Sequence, residues 1–200
     1  MTTHSDKRAR LIDGAEAVFH RKGFGGTTLA DVAEESGVPL GNIYYYFRTR
    51  DALAKAVIDR RIDEVEAMIA SAERVEEPAR RLAAFLQHSV KQADGLSRFG
   101  CPYGCLSQEF ARMGGPLAER SAALLGRQRE WMTDQFRAMG YSLAEARRLG
   151  LELLSAAQGA IVVALSLSDP RIIRTRFGEL TEWVGQLADQ AAGTPTSARA

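Results

Sequence analysis

The chain has 200 residues, with 26 Lys and Arg against 25 Asp and Glu, and two cysteines. Its length allows one large domain or two small ones, and its near-neutral charge excludes a polycation, so any nucleic-acid binding must come from a local patch. Two cysteines do not make a disulfide framework, and the opening MTTHSDKRAR lacks the apolar core of a signal peptide.

Residues 1–5 are expected to be disordered. A first helix is predicted from about Ser5 to Lys22, with Leu11, Ala15, Val18 and Phe19 on one face. Gly23, Gly25 and Gly26 end it. The stretch from Thr28 to Phe47 then reads as two short helices and a tight turn. Leu29, Val32 and Ala33 give the first of these an apolar face, and Thr27 or Thr28 caps it. Gly37 falls at the turn, and Val38 is expected to start the next helix with Pro39 in its first turn. Ile43, Tyr46 and Phe47 form that helix's inward face. Leu40, Gly41, Asn42, Tyr44 and Tyr45 are left outward, with no acidic residue from Val38 to Phe47.

Two helices joined by a Gly-containing turn, the second one exposed, make a helix-turn-helix, whose second helix enters the DNA major groove. A plain helical hairpin is the alternative, but one helix cannot bury three consecutive tyrosines. Leu40, Gly41 and Asn42 are the predicted base contacts. Thr28, Tyr44, Tyr45, Arg48 and Arg50 are the predicted phosphate contacts. Lys7, Arg8 and Arg10 extend the basic patch, which requires Asp13, Glu16, Asp31, Glu34 and Glu35 to face away from DNA.

A fourth helix is predicted from a Thr49 cap to about Ala72, striped by Ile58, Ile62, Val65 and Ile69. It is roughly 30 Å long, enough to belong to both halves of the chain. Pro78 opens a fifth helix to about Ala93, and Asp94 to Gly100 reads as a loop. Pro102 starts a sixth, ending at Met113. A seventh runs from Leu117 to about Met139. Ser142 caps an eighth, in a capping box with Glu145, that runs to about Ser168. Its apolar run from Ala156 to Leu167 is broken by Gln158 and Ser166 and is too short to span a bilayer. Pro170 starts a ninth, with Ile173, Phe177, Leu180, Val184 and Leu187 in phase. The fold class is all-α, with about nine helices and a polar tail, 193–200, expected to be disordered.

The stretch from about Lys7 to Asp59 resembles the DNA-binding domain of the TetR family of bacterial repressors. The matching pieces are Phe19, Lys22-Gly23-Phe24, Thr27-Thr28, Asp31-Val32-Ala33, Gly37-Val38, Gly41-Asn42-Ile43-Tyr44-Tyr45-Tyr46-Phe47 and Arg50-Asp51-Ala52-Leu53. Pro39 and Leu40 depart from the family's usual serine and lysine, so no operator sequence carries over. The resemblance implies a DNA-binding domain over residues 5–51 (motif 28–47). It further implies a ligand-binding and dimerisation domain over residues 52–192, and a transcriptional regulator, most often a repressor released from palindromic double-stranded DNA by a small-molecule effector. Neither a cofactor nor a metal is implied, and the expected setting is cytoplasmic, away from any membrane.

The eighth and ninth helices carry more apolar surface than one partner helix covers. Small residues Ala156, Ala157, Gly159, Ala160 and Ala164 allow close approach, so a homodimer through these two helices is expected. The resemblance implies a pocket in the second half, and Phe85, His88, Cys101, Tyr103, Phe110, Trp131 and Gln158 are the predicted lining. Gly100-Cys101-Pro102-Tyr103-Gly104-Cys105 also resembles an element of a subset of these regulators. Pro102 in the first turn makes Cys101 an N-cap, where a thiolate is stabilised, and Cys105 falls one turn further in, where burial is expected. A thiol-reactive sensor using Cys101 is therefore an alternative reading. A cysteine-dependent helical enzyme is another, but only His88 is offered as a base, with no orienting partner, so an enzyme is not expected.

Overall fold

The computed structural model describes residues 4–193, with side chains from residue 6 onward. These residues form eleven helical segments and no strand: α1 His4–Lys22, α2 Leu29–Ser36, α3 Leu40–Tyr46, α4 Arg50–Ala72, α5 Pro78–Lys91, α6 Ala93–Phe99, α7 Pro102–Met113, α8 Gly115–Ser121, α9 Ala123–Ala138, α10 Leu143–Leu167 and α11 Pro170–Gly193. Only Gln92 separates α5 from α6, and only Ala122 separates α8 from α9. Taken as two interrupted helices, these pairs give the nine-helix pattern expected. The predicted loop over 94–100 is instead α6, because Leu96 and Ala93 are buried and give the segment a face to pack. Disorder expected at residues 1–5 and 193–200 fails at His4, Ser5 and Gly193, which are helical. Residues 1–3 and 194–200, also expected to be disordered, lie outside the described residues.

Local sequence sets most boundaries. Thr28 caps α2 in a reciprocal box with Asp31: the Asp31 N–H donates to the Thr28 hydroxyl at 3.1 Å, and the Thr28 N–H to the Asp31 carboxylate at 2.7 Å. Thr27 is not the cap; its hydroxyl donates to the Gly23 carbonyl at 2.6 Å. Gly37 ends α2 at φ 63°, a left-handed conformation that glycine adopts without cost. Pro39 is the N-cap of α3 rather than part of its first turn, so the helix starts two residues later than expected, and Val38 is buried before it. Thr49 accepts the Ala52 N–H at 3.0 Å and starts α4. Ser142 accepts the Glu145 N–H at 3.3 Å. The second half of that expected box is not formed, because the Glu145 carboxylate pairs with Arg148.

The structure divides into two compact units. The first comprises the N-terminal residues through Glu64 together with Pro102–Leu125, and the second Val65–Cys101 together with the chain from Gly126. The first unit therefore takes in α7 and α8, which the sequence reading assigned to the C-terminal part. Its core joins Leu11, Ala15 and Phe19 of α1, Val32 of α2, Ile43 of α3, Leu53, Val57 and Ile58 of α4, and Leu106 and Phe110 of α7. Burial of this apolar set supplies the main driving force for forming the unit.

In the second unit α10 packs on α11 and α6, and α11 on α5. Leu149, Leu153, Ala157, Ala160, Ile161 and Ala164 face inward from α10, and Ile173, Phe177, Leu180 and Val184 from α11. By length and composition alone α10 is apolar enough to cross a membrane, contrary to the sequence reading, but 44% of its most apolar window is buried in the fold. That is the composition of a helix with one face in a protein core.

Candidate nucleic-acid interface

The short helix α3 is anchored from one side only. Ile43 is fully buried, Phe47 closes the helix as a buried C-cap, and Tyr46 packs partly against the same core. A helix of seven residues with its inward side fixed must show its other side to solvent. Tyr44 and Tyr45 do so at 57% and 73% exposure, and Leu40 and Gly41 are exposed as well. Asn42 is half-buried. A Cβ at Gly41 would meet nothing within 4 Å, so its backbone face is open to a close partner.

The electrostatics around α3 come from pairing as much as from count. Asp31 is held by Lys22 at 2.7 Å, Glu35 by Arg21, and both Asp13 and Glu16 by Arg60. These acids are engaged with cations of the same unit, which offsets their charge near the motif. Asp31 consequently titrates well below the usual carboxylate range, first because of the Lys22 ammonium and then because of the Thr28 N–H and hydroxyl.

Among the basic residues, Arg48 is exposed, and the Arg8 guanidinium lies 5.2 Å from the Phe47 ring centroid, beside the end of α3. Arg10 is tied inward: its Nε and Nη2 donate to the Ser36 carbonyl at 3.1 and 2.7 Å, satisfying the C-terminal end of α2. Arg50 is also tied inward. Its guanidinium lies 3.9 Å from the Phe24 ring centroid and donates to the Phe24 carbonyl. The phosphate role expected of Arg50 from its position after the motif is therefore not the role this geometry gives it.

A residue that the motif does not contain also shapes this unit. Glu109, on α7, accepts the Phe24 N–H at 2.7 Å and the Gly25 N–H at 2.6 Å. It thereby fixes the loop between α1 and α2. No local pattern marks it, because its partners lie 84 and 85 residues away in the chain.

The expected pocket residues do not form one group. Phe110 is fully buried in the core of the first unit, and Tyr103 packs against that core. The other five lie in the second unit. There the Phe85 and Trp131 rings meet as a tilted pair with centroids 5.1 Å apart, and the Trp131 indole donates to Glu73 at 3.2 Å. Gln158 reaches the Cys101 sulfur at 3.5 Å. Phe85 and His88 border a hollow of about 350 Å³ with Ala67, Met68, Ser71, Ala72, Ala84 and Lys91. The arrangement is the reverse of what the sensor alternative needs: Cys101 is buried at 7% exposure, and Cys105, where burial is expected, is exposed. A buried thiol shielded from solvent is a poor sensor, which removes the ground for Cys101 in that role.

Comparison with known proteins agrees with this geometry. Residues 11–57 match the model of bacterial regulatory proteins of the TetR family, and residues 72–176 match the C-terminal domain of LmrA/YxaF-like transcriptional regulators. An uncharacterised HTH-type transcriptional regulator of Mycobacterium tuberculosis is 30% identical over 164 residues, covering 78% of this chain and 83% of that protein. The uncharacterised HTH-type regulator YxaF of Bacillus subtilis is 26% identical over 172 residues, covering 84% and 90%. A TetR transcriptional regulator from Legionella pneumophila superposes with a TM-score of 0.79, covering 93% of this chain and 97% of that one, at 16% identity. That last likeness speaks for the fold.

Proposed function

The chain belongs to the TetR family of bacterial regulatory proteins, and from that premise we propose that it is a repressor released from a palindromic operator by a small-molecule effector. It is a helix-turn-helix DNA-binding transcriptional regulator. The observation that carries the finer reading is the one-sided anchoring of α3, which leaves Leu40, Gly41, Tyr44 and Tyr45 outward on a face without acids. Leu40, Gly41 and Asn42 meet base edges. Thr28, Tyr44, Tyr45 and Arg48 meet phosphates, joined by Arg8 in place of Arg50.

A single motif reads few base pairs, and two copies related by a twofold axis read an inverted repeat with half-sites about 34 Å apart. The second copy is supplied by homodimerisation. Leu151, Ser155, Gly159, Val162, Val163 and Leu167 are exposed along one face of α10, at the i, i+3 and i, i+4 spacings of a continuous stripe. Apolar side chains with small residues between them suit the packing of a partner helix. The stripe, rather than all of α10 and α11, is the proposed interface, since the apolar residues of α11 named above are spent on the monomer's own core.

The effector binds in the second unit, where the hollow beside Phe85 and His88 is a candidate seat. It acts only through a difference in affinity between DNA-competent and incompetent states. The protein acts in the cytoplasm, where its operator lies. A gel shift with duplex DNA flanking its own gene tests this. Binding by the effector-free chain is expected; a chain that shifts DNA only after a ligand is added would be an activator or co-repressed regulator instead.

A further inference from the structure

The Glu109 carboxylate stands apart from the motif in sequence but not in space. Its two oxygens take the two successive N–H groups of Phe24 and Gly25 at 2.7 and 2.6 Å. Successive backbone amides converging on one anion make a nest, and a carboxylate in such a nest is bound more strongly than by neutral hydrogen bonds. The loop is shaped for it. Gly23 adopts φ +73°, and a Cβ at Gly23 or Gly25 would come within 3.2 Å of the carboxylate oxygens. A Cβ at either position would press on the carboxylate, which would have to give by a few tenths of an ångström.

What the loop holds is the start of the motif. Phe24 is buried between the Phe19 ring at 5.3 Å and the Phe110 ring at 5.0 Å, the latter from α7 itself. Arg50, at the start of α4, donates to the Phe24 carbonyl. Thr27 donates back to Gly23, and the next residue, Thr28, caps α2. The Glu109 bond therefore reaches α2 through four residues of fixed backbone, and α2 carries α3 through the Gly37 turn.

We propose that Glu109 is a positioning residue for DNA recognition: it holds the α1–α2 loop in the conformation that presents α3, without touching DNA itself. This rests on α3 being the helix that reads DNA, which Asn42→Ala tests separately. The Phe24 amide is part-buried, so it loses a bond that water replaces poorly when the carboxylate is removed. The Gly25 amide is exposed and is rehydrated more easily.

The experiment uses the full-length chain and a duplex selected by the wild-type protein from a random pool. Glu109→Ala is expected to weaken binding of that duplex about tenfold, and Glu109→Gln about threefold, since the amide keeps one acceptor oxygen. The salt slope stays as in wild type, because no phosphate-facing cation is lost. Hydrogen exchange is read in parallel on DNA-free protein. In Glu109→Ala both Phe24 and Gly25 exchange faster than in wild type, and in Glu109→Gln one of them does, while Val57 and Ile58 in the core of α4 keep their protection. The proposal is overturned if Glu109→Ala binds within twofold of wild type, if exchange at Phe24 and Gly25 is unchanged, or if Val57 and Ile58 lose protection in parallel, which would mark a general loss of fold. Asn42→Ala altering base preference while Glu109→Ala leaves binding intact would refute the Glu109 role and leave the reading of α3 standing.

Discussion

The Arg50 guanidinium sits 3.9 Å from the centroid of the Phe24 ring while donating a hydrogen bond to the carbonyl of the same residue. One side chain thus engages both the ring and the backbone of Phe24, in the loop that leads into the helix-turn-helix. An arginine does this because its flat cation stacks on a ring while its N–H groups point outward in the plane. Arg50→Ala should accordingly lower stability by about 1–2 kcal/mol, from the lost stacking and hydrogen bond. Its slope of log affinity against log salt should stay at the wild-type value. Urea unfolding and a salt titration of DNA binding check the two halves. A slope lowered by one unit would put Arg50 back on a phosphate.

Arg48 and Asn42 should behave differently from Arg50 and from each other. Arg48 is exposed beside α3, and Arg48→Ala should lower the magnitude of the salt slope by about 1, equally on all duplexes. Asn42→Ala should alter which bases are preferred, at about 1–3 kcal/mol for a lost bidentate pair. Competition binding against duplexes with single base-pair changes separates the two. Uniform loss for Asn42→Ala would make it a positioning contact.

The contrast between Thr28 and Arg50 shows what was legible in the sequence. Thr28, Gly37, Thr49, Pro102 and Ser142 act on backbone within a few residues, so spacing alone marked the starts of α2, α4, α7 and α10 and the end of α2. The apolar faces of α1 and α2 were legible for the same reason. Arg50 and Glu109 act across 26 and 85 residues, and nothing local distinguishes an inward arginine from one that faces DNA. The same limit split the expected pocket. Phe110 and Trp131 carry similar helical spacing, yet Phe110 belongs to the first unit's core and Trp131 to the second unit. Ala160 and Val184, which periodicity offers as interface positions, are buried in the monomer.

That burial makes the dimer prediction specific. Val162→Glu or Leu167→Lys places a charge on the exposed α10 stripe and should yield a folded monomer, since an unpaired charge is costly in an interface but not in water. Ala160→Glu and Val184→Lys should instead unfold or aggregate, because both positions are core. Sedimentation velocity with circular dichroism distinguishes these outcomes. A dimeric Leu167→Lys and Val162→Glu pair would move the interface off this stripe.

Acid should loosen the start of the motif. The Asp31 carboxyl is held below its ordinary range by Lys22 and by Thr28. A carboxylate depressed on folding adds stability above its unfolded pKa, and that stability is lost as pH falls towards the folded value. With an unfolded value near 3.9, the loss begins only below about pH 4 and is absent at neutral pH. Asp31→Asn should remove this component, so its stability near neutral pH should be lower and its decline below pH 4 shallower than in wild type. Thermal melts from pH 7 to pH 3 check both. Parallel curves for the two proteins would show that the capping box adds no pH-dependent stability.

Operator recognition turns on a dimer presenting two copies of α3 to one duplex. Selection of bound DNA by the full-length, effector-free chain from a random pool, followed by the mass of the purified complex, addresses that most directly. The predicted result is an enriched inverted repeat, with half-sites one turn or a related spacing apart, bound by two chains or a multiple of two, and not enriched when Asn42→Ala replaces the wild type. Enrichment of a single asymmetric site by one chain, or of no sequence at all, would contradict it.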